Sequence, residues 1–346
     1  MIANAPWQYE GAPRLQNLLR AVFSPGNIIA FVFGLALLLL LASITNIRRV
    51  LLLVVQFPEG LVPAVVALFI LYEAVKFSQW YFLLSVLTPG VPWRKALLAF
   101  AGGEATRAVP GSAYFQAYLL DQLRGPGFAL SAAVTTAMMG FEIAVTLTLL
   151  MLLGIDQWGW VKPVIFGSMV LFAVLALAFR RTSLPLIARI ALPNPVGRYR
   201  RELLDGIRVF MIGLRDLLTL KALVGGFGLA LCYLVVAALA LQLISLGIAP
   251  GSVKVLETVS VYAFAVLASL LSPVPFDIGI TEGSGLAAFV AYGMRRDEAL
   301  ATMITLRVLS SLTPLVFAVI VALSLWREWR GRAPNQEKPQ KGPDKP

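Results

Sequence analysis

Long apolar runs separated by short polar links dominate the chain. Crossing about 30 Å of hydrocarbon takes roughly 20 helical residues. Five runs are long enough: Ile28–Thr45, Leu61–Leu87, Ala129–Gly154, Val161–Phe179 and Ala222–Gly247. A sixth, Ala299–Trp326, ends in a Trp-Arg-Glu-Trp-Arg run suited to an interfacial anchor. Two further apolar stretches are interrupted. Ala96–Leu120 holds Gly102-Gly103, Glu104, Arg107 and Pro110-Gly111. Leu256–Tyr292 holds Pro273, Pro275, Asp277, Glu282 and glycines from Gly279 onward. The pattern predicts an all-α polytopic integral membrane protein.

Charge in the links orients these runs. Arg180–Lys221 carries nine basic and three acidic residues, and the chain after Trp326 carries six basic and three acidic. The positive-inside bias places both in the cytoplasm. Working back from Arg180, two crossings return the Asp121–Phe128 link to the same side, and the Pro89–Lys95 link, with Arg94 and Lys95, joins it. Ala96–Leu120 therefore starts and ends in the cytoplasm. It is too short for two crossings and reads as a re-entrant hairpin turning near Pro110-Gly111. By the same parity Leu256–Tyr292 starts and ends outside, and its Pro-x-Pro turn favours a second hairpin. The expected architecture is about six full spans plus two re-entrant hairpins, with eight spans as the alternative. Span, hairpin, span, repeated upside down, is the signature of an inverted repeat with a site where broken helices meet. Arg48-Arg49, placed outside by this scheme, runs against the bias.

The expected organisation is a cytoplasmic segment over residues 1–27 and a membrane domain over 28–326. Its halves are 28–179 and 222–326, joined by a cytoplasmic connector over 180–221, with a disordered cytoplasmic tail over 327–346. In the connector, Leu203, Leu204, Ile207, Phe210, Met211, Leu214, Leu217 and Leu218 recur at helical spacing. That pattern predicts an amphipathic helix at the inner headgroup layer. No cleavable leader is expected, since the first 27 residues lack a basic segment leading into a short apolar one.

Composition narrows the chemistry. The chain is 59% hydrophobic and 14% charged, far from the globular norm. It has no histidine, which excludes Ser-His-Asp hydrolysis and His-ligated metal sites. A lone cysteine, Cys232, excludes an intrachain disulfide and thiolate clusters. The net charge of +11 sits largely beside membrane segments, so no nucleic-acid partner is expected. No cofactor or metal is expected either.

Charges at membrane depth are costly unless paired or hydrated. They are Glu73, Lys76, Glu104, Arg107, Glu142, Asp277, Glu282 and Arg307. Glu73 with Lys76, and Glu104 with Arg107, are three apart, which makes pairs within one helix easy. Glu104 and Arg107 lie between Gly102-Gly103 and Pro110-Gly111. Glycines there let backbone come close, and a helix start would offer amides to an anion, with Arg107 as a fork for phosphate. Glu142 stands without a cation within a turn, so Arg107 or Arg124 is its natural partner. Arg307 is placed to bond Glu282 across the second hairpin. Gly279 and Gly283 match a small-xxx-small packing pattern.

These residues resemble a known family. Gly102-Gly103-Glu104-Ala105-Thr106-Arg107-Ala108-Val109-Pro110-Gly111-Ser112 is similar to the Pro/Gly-rich segment of the lysylphosphatidylglycerol synthase transmembrane family, the flippase-like domain proteins. Glu142 looks like the glutamate that family carries in the next span. Ser272-Pro273-Val274-Pro275-Phe276-Asp277-Ile278-Gly279-Ile280-Thr281-Glu282 looks like its second hallmark, and Arg307 occupies the place of an arginine common in the last long helix. The resemblance runs over about Leu61–Leu325. It implies handling or movement of a lipid between leaflets, a phospholipid or a polyprenyl-linked glycan. The aminoacyl-transferase domain of some members does not follow within the 20 residues after Trp326, so lysyl transfer is not expected.

The reading is a non-enzymatic lipid translocase of the inner membrane with both termini cytoplasmic. Its expected substrate-binding residues are Glu104, Arg107, Gly111, Glu142, Asp277, Glu282 and Arg307. The rival readings are an accessory subunit docking a separate glycosyl- or aminoacyl-transferase partner, and an intramembrane transferase using Asp277 and Glu282.

Overall fold

The computed structural model of the chain describes residues 25–106, 114–154, 159, 162–171, 174, 178, 197–272, 277–317, 319 and 323. Arg107, Pro110, Gly111, Pro273 and Pro275 lie outside the described residues, as do residues 1–24 of the expected segment 1–27 and the tail. Twelve α-helices carry the described chain, with no strand among the described residues. They are α1 (Pro25–Ser43), α2 (Ile47–Val55), α3 (Val62–Leu87), α4 (Trp93–Ala105), α5 (Phe115–Gln122), α6 (Phe128–Leu153), α7 (Lys162–Leu171), α8 (Gly197–Asp216), α9 (Leu220–Ile248), α10 (Val255–Leu270), α11 (Ile280–Ala291) and α12 (Arg296–Ser310). The protein is an all-α polytopic membrane fold.

Four helices are long and apolar enough to cross a bilayer: Glu59–Leu87, Phe128–Leu153, Leu220–Ile248 and Arg296–Phe317. A fifth arises if the bent pair Val32–Ser43 and Ile47–Val55 is one span. Of the expected run Val161–Phe179, the described helix is Lys162–Leu171. The bent pair turns through 97°. Asn46 makes the corner: its side chain accepts from the Arg49 N–H at 3.2 Å, capping α2, which then lies against α12.

Helices α3 and α9 form the spine and run antiparallel. Along their contact Phe57 and Leu61 meet Gly247, Tyr72 meets Tyr233, Gln79 meets Gly226, and Phe82 meets Gly225. Glycines at 225 and 247 permit the approach, because a Cβ at either would come within 2.5 Å of a phenylalanine ring. Three apolar clusters fill the protein. One joins the start of α3 to the end of α9 and the α11–α12 link. A second surrounds Tyr72 and Tyr233, and a third joins the end of α3 to α4, α5 and the start of α9.

Both interrupted stretches are pairs of short helices packed on each other, α4 with α5 and α10 with α11. At 1.5 Å per residue they measure about 20, 12, 24 and 18 Å, each short of a bilayer core. The two halves repeat one set of packings. In each, the first long helix packs on the first arm, arm on arm, the second arm on the second long helix, and long helix on long helix. Across the halves α3 meets α12 as α6 meets α9. The open end of the α4–α5 hairpin clusters with the end of α3, and that of α10–α11 with its start, so the hairpins insert from opposite ends.

The connector helix α8 packs on α6 rather than lying free of the bundle. A Cβ at Gly213 would come within 3.0 Å of Leu130 and 3.1 Å of Ala133. At the α11–α12 end, Arg49 is matched by Asp297 at 4.0 Å, and the Asn46 N–H donates to Asp297 Oδ1 at 2.9 Å. Asp297 and Glu298 occupy the first turn of α12, where the helix dipole favours carboxylates. Asp297 supplies local counter-charge for Arg49, one of the two arginines that ran against the bias.

Candidate functional site

The second hairpin assembles three of the expected residues. Asp277 adopts a left-handed conformation with φ of 51°, which a short polar side chain tolerates better than most. Its Oδ2 accepts from Ser269 Oγ at 2.5 Å, tying the turn back to the end of α10. Gly279 follows at φ 79°, and its N–H donates to Glu282 Oε2 at 2.8 Å, so the N3 glutamate reaches back to cap the start of α11. That leaves Oε1 of Glu282 for Arg307, whose Nε donates to it at 2.6 Å. Arg307 also donates through Nη2 to the Asp277 carbonyl at 3.3 Å. One guanidinium from a long helix thus binds both sides of the turn. Glu282 is buried, while the Arg307 side chain keeps 36% of its surface exposed.

The first hairpin holds a related pair. Glu104 lies in the last turn of α4, and Lys76 of α3 donates to its Oε1 through Nζ at 3.2 Å, with both residues buried. This pair joins two helices, whereas the sequence suggested partners three residues apart on one. Lys76 also lies 5.7 Å from the Tyr72 ring centroid, and Tyr72 meets Tyr233 edge-on at 5.5 Å. Each hairpin tip therefore presents a glutamate to a cation from a long helix.

Gly102-Gly103 do bring backbone close, but the approach is helix to helix. A Cβ at Gly102 would fall 2.2 Å from Leu119 Cδ1, and one at Gly103 would fall 2.8 Å from Gln116 Cβ. The glycines thus close the two arms on each other. They also belong to the C-terminal turns of α4, where carbonyls face outward, and Thr106 Oγ1 donates to the Gly102 and Gly103 carbonyls at 3.1 and 3.0 Å. At the second hairpin Gly279 and Gly283 both face α1, against Gly34 and Leu37 and against Leu41, in keeping with the packing pattern.

Glu142 lies half-buried in the middle of α6. It shares one face of that helix with Ser131, Thr135 and Thr146, given the 3.6-residue period. Thr135 receives Gln116 Nε2 at 2.9 Å and Trp80 Nε1 at 3.3 Å, so this polar stripe is stitched to the first hairpin and to α3. Arg107 and Gly111 fall outside the described residues. Lys76, Gln79, Gln116 and Thr135 were not among the expected site residues. Their only sequence signal was polarity inside apolar runs. Among the described residues no group of three or more His, Cys, Asp or Glu is placed to hold a metal ion.

A family model described as the lysylphosphatidylglycerol synthase TM region matches residues 27–325, the span that holds both hairpins and every long helix. No curated protein matches the chain.

Proposed function

The chain belongs to the lysylphosphatidylglycerol synthase transmembrane family, and from that premise we propose that it is an inner-membrane lipid translocase with cytoplasmic termini. Its cargo is a phospholipid or a polyprenyl-linked lipid with an anionic headgroup. The Arg307–Glu282 pair at the break of the second hairpin carries this reading. A guanidinium offers a planar fork that fits a phosphate as well as a carboxylate. Exchanging Glu282 for phosphate keeps Arg307 paired throughout, while the displaced carboxylate keeps the Gly279 N–H as its partner. Glu142 and Glu282 are the counter-charges that the headgroup displaces. Arg107, at the other hairpin, takes the headgroup in turn. The opposite insertion of the two hairpins supports this assignment, because it gives each leaflet one broken helix pair through which a headgroup can reach the interior.

The test is transbilayer movement of fluorescent phosphatidylglycerol in proteoliposomes, read by dithionite quenching from outside. Arg107→Ala and Glu282→Ala abolish it when compared with the parent at equal amounts of folded protein. Normal movement by both variants contradicts the proposal.

A further inference from the structure

The Lys76–Glu104 pair is not used by the mechanism above, and its place repeats that of Arg307–Glu282. Both glutamates stand at hairpin tips, both cations stand on long helices, and the halves that carry them share one set of packings. We infer that Lys76 is a second station for the phosphate of an anionic lipid, with Glu104 as the carboxylate that the phosphate displaces. This rests on the translocase reading and adds a residue and an order of events to it.

Three observations carry the assignment. Lys76 Nζ stands 3.2 Å from Glu104 Oε1, against 2.6 Å from Arg307 Nε to Glu282 Oε1, so the ammonium meets its carboxylate at the longer distance. The Tyr72 ring, fixed edge-on against Tyr233, lies under the ammonium and attracts it whether or not Glu104 is in contact. Glu73 is buried one turn before Lys76 on the same helix, so a second carboxylate stays within a turn of Lys76 while one anion replaces another. A compact ammonium with three rotatable donors accepts a phosphate oxygen without the planar match that Arg307 demands. The headgroup therefore engages Lys76 readily and Arg307 tightly.

Native mass spectrometry of the detergent-solubilised full chain, titrated with phosphatidylglycerol, tests this. Lys76→Gln raises the half-saturating lipid concentration about tenfold, the loss of roughly 1.4 kcal/mol. Lys76→Arg restores it, and Glu104→Gln lowers it by removing the competing carboxylate. A purely structural pair moves Lys76→Gln and Glu104→Gln in the same direction, and that result overturns the inference. So does parental binding by Lys76→Gln. If a single variant fails to fold, the double variant Lys76→Gln with Glu104→Gln replaces it: weakened binding supports the station, and parental binding or failure to fold overturns it. A parallel titration with soluble glycerol 3-phosphate tells a lipid headgroup from a free phosphate ester. Binding that depends on Lys76 in a protein that moves no lipid sinks the translocase reading alone. Transport lost in Arg307→Ala but intact in Lys76→Gln, with parental binding, sinks this inference alone.

Discussion

Arg307 reaches from α12 to the tip of the second hairpin and donates to Glu282 Oε1 at 2.6 Å, while the other oxygen of that carboxylate caps α11. The pair thus fixes the hairpin turn and holds one of the two guanidiniums that the mechanism uses. Removing Arg307 leaves a buried carboxylate with a cap but without its cation. Arg307→Ala costs about 2 kcal/mol of stability, and Arg307→Lys recovers part of it. Thermal unfolding in detergent checks this, and equal melting of Arg307→Ala and the parent contradicts it.

The glycine pair of the first hairpin separates two steric cases. At Gly102 the clash is with the movable end of Leu119, whereas at Gly103 a Cβ meets both Gln116 Cβ and its backbone nitrogen, 3.3 Å away. Gly103→Ala therefore destabilises by about 1–3 kcal/mol, and Gly102→Ala by less. The same melting experiment gives the order, and a reversed order refutes the packing described.

A similar contrast holds at the second hairpin. Gly279 combines a positive φ with a carbonyl of α1 only 2.8 Å from any Cβ, while Gly283 has Leu41 at an ordinary 3.6 Å. Gly279→Ala costs upward of about 1 kcal/mol. Gly283→Ala stays within about 0.5 kcal/mol of the parent. Circular dichroism on heating distinguishes them.

The opposite insertion of the hairpins predicts opposite sidedness of their links. In a Cys232→Ala background, Lys254→Cys in the α9–α10 link reacts with an impermeant maleimide on intact cells. Arg94→Cys in the first turn of α4, beside the α3–α4 link, reacts only after permeabilisation. Labelling of both from one side rules out the inverted arrangement.

Much of this was legible in the sequence because membranes make certain residues expensive. Glycines, prolines and charges inside apolar runs marked both hairpins, and Arg307 stood out as a charge in search of the partner that Glu282 provides. The Lys76–Glu104 pair was not legible. Each residue has an opposite charge three positions away, and only the packing of α4 beside α3 brings the two to each other. Gln79, Gln116 and Thr135 were overlooked because an uncharged polar residue costs far less at depth than a charge, and so signals less. The glycine pair marked close approach without saying to what. The corner at Asn46 did leave a trace, a capping residue after an apolar run, but the run before it was long enough to read as one span.

The most direct test of the account is the rate of phosphatidylglycerol translocation in proteoliposomes for Arg307→Gln against the parent, at matched folded protein. The account predicts that the parent moves the lipid and that Arg307→Gln loses at least about tenfold, the worth of one charge-assisted contact of roughly 1.4 kcal/mol. Equal rates for the two would contradict it.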